Sequence, residues 1–283
     1  NIARLFIDPI NKPPYYYSFV VGGSYAITAK LESNNNLTAQ NDNGYSKNHF
    51  ERGTNLQLIL QVPQVVVRNK EEDIKEFLTQ GLVGYWPFDE GSGTIARDLS
   101  GNNNHGTLYN GPSWTTGKVG GALSFDGVDD YVNLSGSINI SDYTFLAWVK
   151  SAPSARYDVI ARNTIASGYG IEPDTNPDGS FRVRFDTSIQ SNQVLGSGVN
   201  IKDNNYHFIG VTFLTQNNEA VSYVDGIKRQ SLIVNGTLPI YYTWNTIGHY
   251  GWGSYWPGLI DEVRIYNRAL SDAEIKALYE ATK

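Results

Sequence analysis

Between residues 82 and 266 the chain alternates short apolar-rich segments with Gly, Asn and Asp turns. The segments are LVGYWPF, ALSFDG, YVNLSG, YTFLAWVK, DVIARN, SFRVRF, HFIGVTF, AVSYVDG, TIGHY and LIDEVRIY. Successive side chains of a strand point to opposite faces, so apolar positions at a period of two predict half-buried strands. Their number and spacing predict a sandwich. No helix-period segment interrupts them until the last dozen residues. There Ser271 stands as an N-cap, with Glu274 three positions on as its capping-box partner. Ile275 and Leu278 give that helix one narrow apolar face. The pattern predicts one antiparallel β-sandwich, closed by a short helix that caps an open end or edge.

The texture before residue 80 is different. YYYSFVV (15–21) and YAITAKLE (25–32) read as strands, and Gly22-Gly23-Ser24 between them reads as a hairpin turn. Residues 32–44 form a polar loop. NLQLILQVPQVVV (55–67) is strand-like, but Pro63 denies it a central place in a sheet. Ile74, Phe77 and Leu78 then fall at helical spacing, with Gly81 as a stop. The division is 1–68 as a small β region, 69–81 as a connecting helix and 82–283 as the sandwich.

Composition narrows the class. The 283 residues are 40% hydrophobic and only 18% charged, with 19 Tyr and 28 Gly, a profile of a folded β-rich protein. A net charge of −6 without a basic run argues against nucleic acid and anionic membranes as partners. The absence of cysteine excludes disulfides, thiolate metal sites and thiol catalysis. There is no methionine, so the sequence is expected to be a processed product or a fragment.

Four motifs, in order, carry a resemblance: GLVGYWPFDEGSGTIARDLSGNNNHGTLYNGPSW, GKVGGALSFDGVDDYVNL, YTFLAWVK and GLIDEVRIYNRALSDAEI. Together they resemble the laminin-G-like, concanavalin A-like jelly-roll family over residues 81 to 283. The resemblance implies a mainly β fold of two antiparallel sheets, an extracellular location and carbohydrate or protein binding, with one Ca²⁺ in many members. Read alone, DLSGNNNHG (98–106) sets oxygen side chains around Gly101, which suits a calcium shell and equally suits an Asx-rich turn. The resemblance adds Asp261, whose family equivalent points to the metal from beside the first strand. The ligand set so implied is Asp98 and Asp261 through side chains, with Asn102, Asn103 or His105 contributing and Asp89 as a weaker candidate. Asp126, Asp129 and Asp130 read as turn acids.

Catalytic patterns are missing. His49, His105, His207 and His249 form no triad or metalloprotease spacing. The E-x-D-x-x-E strand motif of the family's glucanases does not occur, and DGSFRVRFD (178–186) alternates arginines instead. Trp86, Trp148 and Trp256 match packed family positions. Candidate ligand-binding aromatics are Trp244, Tyr250 and Trp252 in the loop 241–258, with Tyr157 and Tyr169 rimming a second loop, 162–179. Sugar C–H faces stack on such rings, although the same residues also serve to staple a long loop.

The segment DPINKPPYYYSFVVGGSYAITAKLESNNN…NDNG…FERGTNL resembles the C-terminal half of a type IV pilin or pseudopilin head. That resemblance implies other pilin subunits as partners. It also implies an upstream basic leader and about 20 apolar residues, long enough for a membrane. Residues 1–7 would then be a connection from that helix. The combined expectation is a non-catalytic surface adhesin displaying a calcium-stabilised domain for a carbohydrate or surface glycoprotein. The rivals are an accessory domain of a secreted glycoside hydrolase and a purely structural pilus subunit.

Overall fold

The computed structural model describes residues 78–283, apart from 136–137, 139–140, 155, 165–169, 188–189, 237–242 and 251–253, together with four short strands nearer the N-terminus. The chain forms two compact units, Asn1–Arg68 and Asn69–Lys283. In the first, β1 (Ile2–Arg4) pairs antiparallel with β2 (Ser18–Val20), and β3 (Ala29–Lys30) with β4 (His49–Phe50). The turn of the hairpin expected between 15–21 and 25–32 lies outside the described residues. Ile2–Arg4, expected to be a connection, is a strand. The strand expected around Pro63 lies outside the described residues, as does most of the pilin-like pattern.

The second unit is a jelly-roll sandwich. Sheet I runs in the order β15 (Gln193–Asn200), β14 (Ser180–Asp186), β13 (Gly170–Thr175), β12 (Ala161–Thr164), β19 (Thr243–Ile247), β10 (Tyr131–Leu134), β7 (Gly106–Tyr109) and β6 (Ile95–Ala96). Sheet II runs β18 (Ile227–Ile233), β17 (Glu219–Val224), β16 (Tyr206–Leu214), β11 (Tyr143–Ser151), β22 (Pro257–Tyr266), β9 (Gly121–Asp126) and β8 (Ser113–Thr116), and β5 (Leu82–Trp86) also pairs with β22. First and last strands of the sandwich therefore lie side by side, Trp86 opposite Val263. Between the sheets the inward positions Trp86, Phe125, Phe145, Phe181, Phe185 and Trp256 form one buried cluster. Gly84 is fixed by this packing, because a Cβ there would stand 2.4 Å from the Trp86 ring.

The C-terminal helix α1 (Asp272–Thr282) has the expected capping box, with Ser271 accepting from the Glu274 amide and Glu274 accepting from the Ser271 amide. Its position differs from the expectation. It covers the outer face of sheet II, where Ile275 and Leu278 pack on Leu146, Trp148, Phe208 and Tyr223. The cause is written in β11 and β16, whose FLAWV and FIGV runs are apolar without alternation and so are buried on both faces. Residues 78–81 join the same layer: the Tyr266 hydroxyl donates to the Leu78 carbonyl at 2.9 Å and Arg268 Nε to Gln80 at 2.9 Å. No helix among the described residues is long and apolar enough to cross a membrane.

His207, which belongs to no catalytic spacing in the sequence, is an ionic staple at one end of sheet II. Its Nδ1 lies 3.0 Å from Asp225 and its Nε2 3.1 Å from Asp203. The Asp225 carboxylate, and secondarily Asp203, raises the imidazole above its ordinary value. A raised folded-state value means stability that is complete below the unfolded histidine value, about 6.5, and lost as pH rises through the folded one. His207→Gln should therefore lower the melting temperature at pH 5.5 and leave it nearly unchanged at pH 8.5. An equal loss at both pH values would show that packing, not charge, is what His207 supplies.

Candidate functional site

Several of the residues expected to hold calcium have other partners. Asp98 accepts four hydrogen bonds: from the Tyr85 amide at 2.9 Å, the Ser100 amide at 2.8 Å, the Ser100 hydroxyl at 2.9 Å and the Asn104 amide at 2.9 Å. Donor hydrogens thus occupy the directions in which a cation would sit. His105 accepts from the Asp98 amide through Nδ1, and its carbonyl takes the Ser135 amide and hydroxyl. Asn102 donates to Ser100 and to the Leu82 carbonyl, and exposed Asn103 takes φ 58° in the turn. The Asx-turn reading accounts for the whole loop.

Asp261 answers to a different loop. Its Oδ2 accepts the Lys118 and Val119 amides at 2.8 and 2.9 Å, and its Oδ1 is buried without a hydrogen-bond partner. Burial pushes this carboxyl up to about 7, with the charges of Glu262 and Asp89 adding to the effect. The backbone wraps it so closely that a Cβ on Gly117 would stand 2.5 Å from Oδ2. Asp89 accepts the Gly121 amide. Asp98, with four donors on its two oxygens, therefore has no lone pair left for a cation of the kind that takes six to eight oxygens, whereas Asp261 Oδ1 is without a donor. Asp126, Asp129 and Asp130 bring three carboxylate oxygens within 4.8 Å of one another. Asp126 and Asp130 are engaged with amides of the turn itself, in keeping with turn acids.

The chemistry gathers on the outer face of sheet I. With Phe181, Val183, Phe185 and Ile171 turned into the core, β13 and β14 turn Glu172, Asp174, Arg182, Arg184 and Asp186 the other way. Register sets Arg182 opposite Asp174 and Arg184 opposite Glu172. Arg182 grips Asp174 with two bonds, Nε to Oδ1 at 2.6 Å and Nη2 to Oδ2 at 2.9 Å. Arg184 bonds Glu172, and Arg162 on β12 lies 3.1 Å from the same carboxylate. Both acids are only 2% exposed although they face away from the core. Burial raises both carboxyls, and the arginines hold the rise in check.

Tyr157 completes this cluster. It is 50% exposed, and the Arg182 guanidinium lies 4.5 Å from its ring centroid. One ring face is thus braced by a cation that a buried carboxylate holds in turn, a fixed aromatic surface of the sort that binds sugar C–H faces. Of the other aromatics expected to bind, Trp252 and Tyr169 lie outside the described residues. Trp244 and Tyr250 belong to β19 and to β20 (His249–Tyr250), and their side chains lie outside them also.

The two loops expected around the site are largely strands. Residues 162–179 contain the end of β12 and all of β13, and 241–258 contain β19, β20, β21 (Ser254–Tyr255) and the start of β22. Pro173 disguised β13 in the sequence. The E-x-D of 172–174 and R-x-R of 182–184, both at period two, were the signal that would have revealed the paired charges. Glu172 and Asp174 also match the first two acids of the glucanase spacing, but Pro177 stands where the third would fall and both are committed to arginines.

The family profile described as the concanavalin A-like lectin/glucanases superfamily, Laminin_G_3, matches residues 126–276, more than half of the chain. The chain belongs to this superfamily. No curated protein matches it. Among solved structures, the concanavalin A-like unit superposes on the binding domain of Paraclostridial Mosquitocidal Protein 1 with a TM-score of 0.60 at 18% identity, over 72% of this chain and 53% of that one. Domain 4 of AbnA, a GH43 extracellular arabinanase from Geobacillus stearothermophilus solved in complex with arabinotriose, gives 0.56 at 19% identity, over 70% of this chain and 98% of that one. The receptor binding domain of botulinum neurotoxin D gives 0.54 at 15% identity, over 72% and 53%. The chain spans about half the length of these two toxin domains. Likeness at such identities concerns the fold.

Proposed function

We propose that the sandwich is a non-catalytic, extracellular binding domain for a glycan or a surface glycoprotein, and that it engages its ligand on the outer face of sheet I. The observation that carries this reading is Tyr157, half exposed with the Arg182 guanidinium over its ring, which buried Asp174 grips in turn. Hydroxyl-rich ligands meet charge-assisted donors and acceptors beside that ring, and the carboxylates of β13 on this face, Glu172 and Asp174, are both paired with arginines and so are not available for glycosidic acid–base work. The neighbours support a binding role: two are toxin binding domains, and one is an arabinanase domain in complex with arabinotriose.

Two settings suit such a domain. In one it is a surface adhesin, and the pilin-like pattern of residues 8–54 supplies delivery and filament partners. In the other it is the accessory domain of a secreted glycoside hydrolase, a reading favoured by its match to nearly the whole of domain 4 of AbnA. Both share one test. An array of neutral and acidic glycans, arabino-oligosaccharides included, should retain the protein. Tyr157→Ala should then lose about 1–2 kcal/mol of affinity, the scale of a truncated aromatic contact, with its melting temperature unchanged. Loss of stability in place of affinity would make Tyr157 a structural residue, and an array without binding would remove the glycan ligand.

A further inference from the structure

A second aromatic feature stands on the same face, several strands away from Tyr157. Tyr109 on β7 and Tyr131 on β10 are direct register partners, and their rings stack at a centroid separation of 5.0 Å with planes 6° apart. His249 follows 5.0 Å from Tyr131, and Tyr255 lies 4.6 Å from His249. Tyr109 ends this row and is 43% exposed. The row stands on the outer side of sheet I, because the neighbouring residue Val132 points into the core.

Between the aromatic row and the arginine–carboxylate cluster, the described side chains on the register line are polar and uncharged. Register continues from Arg162 to Thr246, from Thr246 to Asn133 and from Asn133 to Thr107. Asn133 is exposed, and Thr246 and Thr107 are half-buried. One cross-strand line therefore leads from Arg184 and Glu172 through Arg162 to hydroxyl and amide side chains, with Tyr157 near one end and Tyr109 near the other. Five inter-strand steps separate β14 from β7, a span of roughly 24 Å at the usual strand spacing.

We propose that this face binds a neutral glycan as an extended chain lying across the strands, with one sugar stacked on Tyr157, another on Tyr109, and the units between them hydrogen-bonded to Thr246 and Asn133. This rests on the glycan reading above and adds the form and charge of the ligand. A single terminal sugar would use one of the two aromatic surfaces and leave the other without purpose. Neutrality follows from the pairing along this line: Arg162, Arg182 and Arg184 meet Glu172, Asp174 and Asp186, and Arg156 at the Tyr157 end lies 3.7 Å from Asp158. Thr246 and Asn133 offer hydroxyl and amide groups, which suit ring and hydroxymethyl hydroxyls.

The test uses the full chain and oligosaccharides of two to eight units from neutral polymers (arabinan, xylan, galactan and β-glucan), with polygalacturonate fragments of equal length beside them. Affinity for the retained neutral polymer is expected to rise at least tenfold from the shortest to the longest chains. Tyr109→Ala should abolish that gain while leaving the short-chain Kd unaltered, and Tyr109→Phe should keep it. Tyr109 is exposed enough for the variant to fold, which an unchanged melting temperature will verify. Equal Kd values at all lengths, or a preference for the galacturonate series, would overturn the extended neutral chain and leave glycan binding standing. Absence of binding to every oligosaccharide would overturn both.

Discussion

Arg182→Ala is expected to cost the sandwich about 3 kcal/mol and to weaken ligand binding in the same protein. The carboxylate of Asp174 is 2% exposed and takes two of its hydrogen bonds from this guanidinium. Removing one partner of a buried ion pair strands the other charge, a change that typically costs about 3–5 kcal/mol. The lower end applies here because Arg184 and Lys202 also lie close enough to lower the Asp174 carboxyl. The pH dependence follows from the same charge. Burial already raises Asp174, and removing Arg182 takes away what most lowers it, so the variant's carboxyl protonates sooner as pH falls. A raised carboxyl destabilises above its folded value and is relieved below it. Urea unfolding should accordingly show the full deficit at pH 8 and a smaller one at pH 5. The double variant Asp174→Leu, Arg182→Met should recover most of the loss, since apolar replacements of a buried pair are often neutral. It should still bind poorly, because Tyr157 would have lost the cation that braces it. A single variant as stable as the wild type at pH 8 would show that this pair contributes nothing to the fold.

How far these features were legible in the sequence depended on whether the signal was local. The strand β14 showed itself by side-chain alternation, and β11, β16 and β22 by apolar β-branched and aromatic runs between turn residues, all properties of a few neighbours. Ser271 and Glu274 marked the helix start for the same reason. The location of α1 was not local: it required noticing that β11 and β16 have no polar face, and so that a second layer must cover them. The candidate site was less legible still. Glu172 and Arg184 are partners only through register, and Pro173 made their strand look like a loop. Asp98 looked like a ligand because a carboxylate in a glycine turn suits either a cation or amides. The choice between them is made by the Tyr85 amide, which arrives from a strand 13 residues earlier.

Ile275→Asp is expected to be among the most damaging single substitutions in the chain, though it lies in the last dozen residues. Ile275 is fully buried between α1 and sheet II, beside Leu278, Trp148 and Phe208. Losing its burial removes about 1.5–3 kcal/mol. Setting a carboxylate among aromatic rings adds the cost of an unpaired buried charge unless the helix lifts away. Either route exposes apolar side chains that the helix now covers. It also breaks the bonds from Trp148 Nε1 to Thr282 at 2.9 Å and from the Tyr223 hydroxyl to Asp272 at 2.7 Å. Against a total stability on the order of 5–15 kcal/mol, that loss should leave a partly unfolded protein that binds hydrophobic dyes and aggregates on warming. Lys276→Asp, one residue further on and exposed, should behave as the wild type. If both variants melt at the wild-type temperature, α1 is not part of the cooperative fold, and the apolar outer face of β11 and β16 must be covered in some other way.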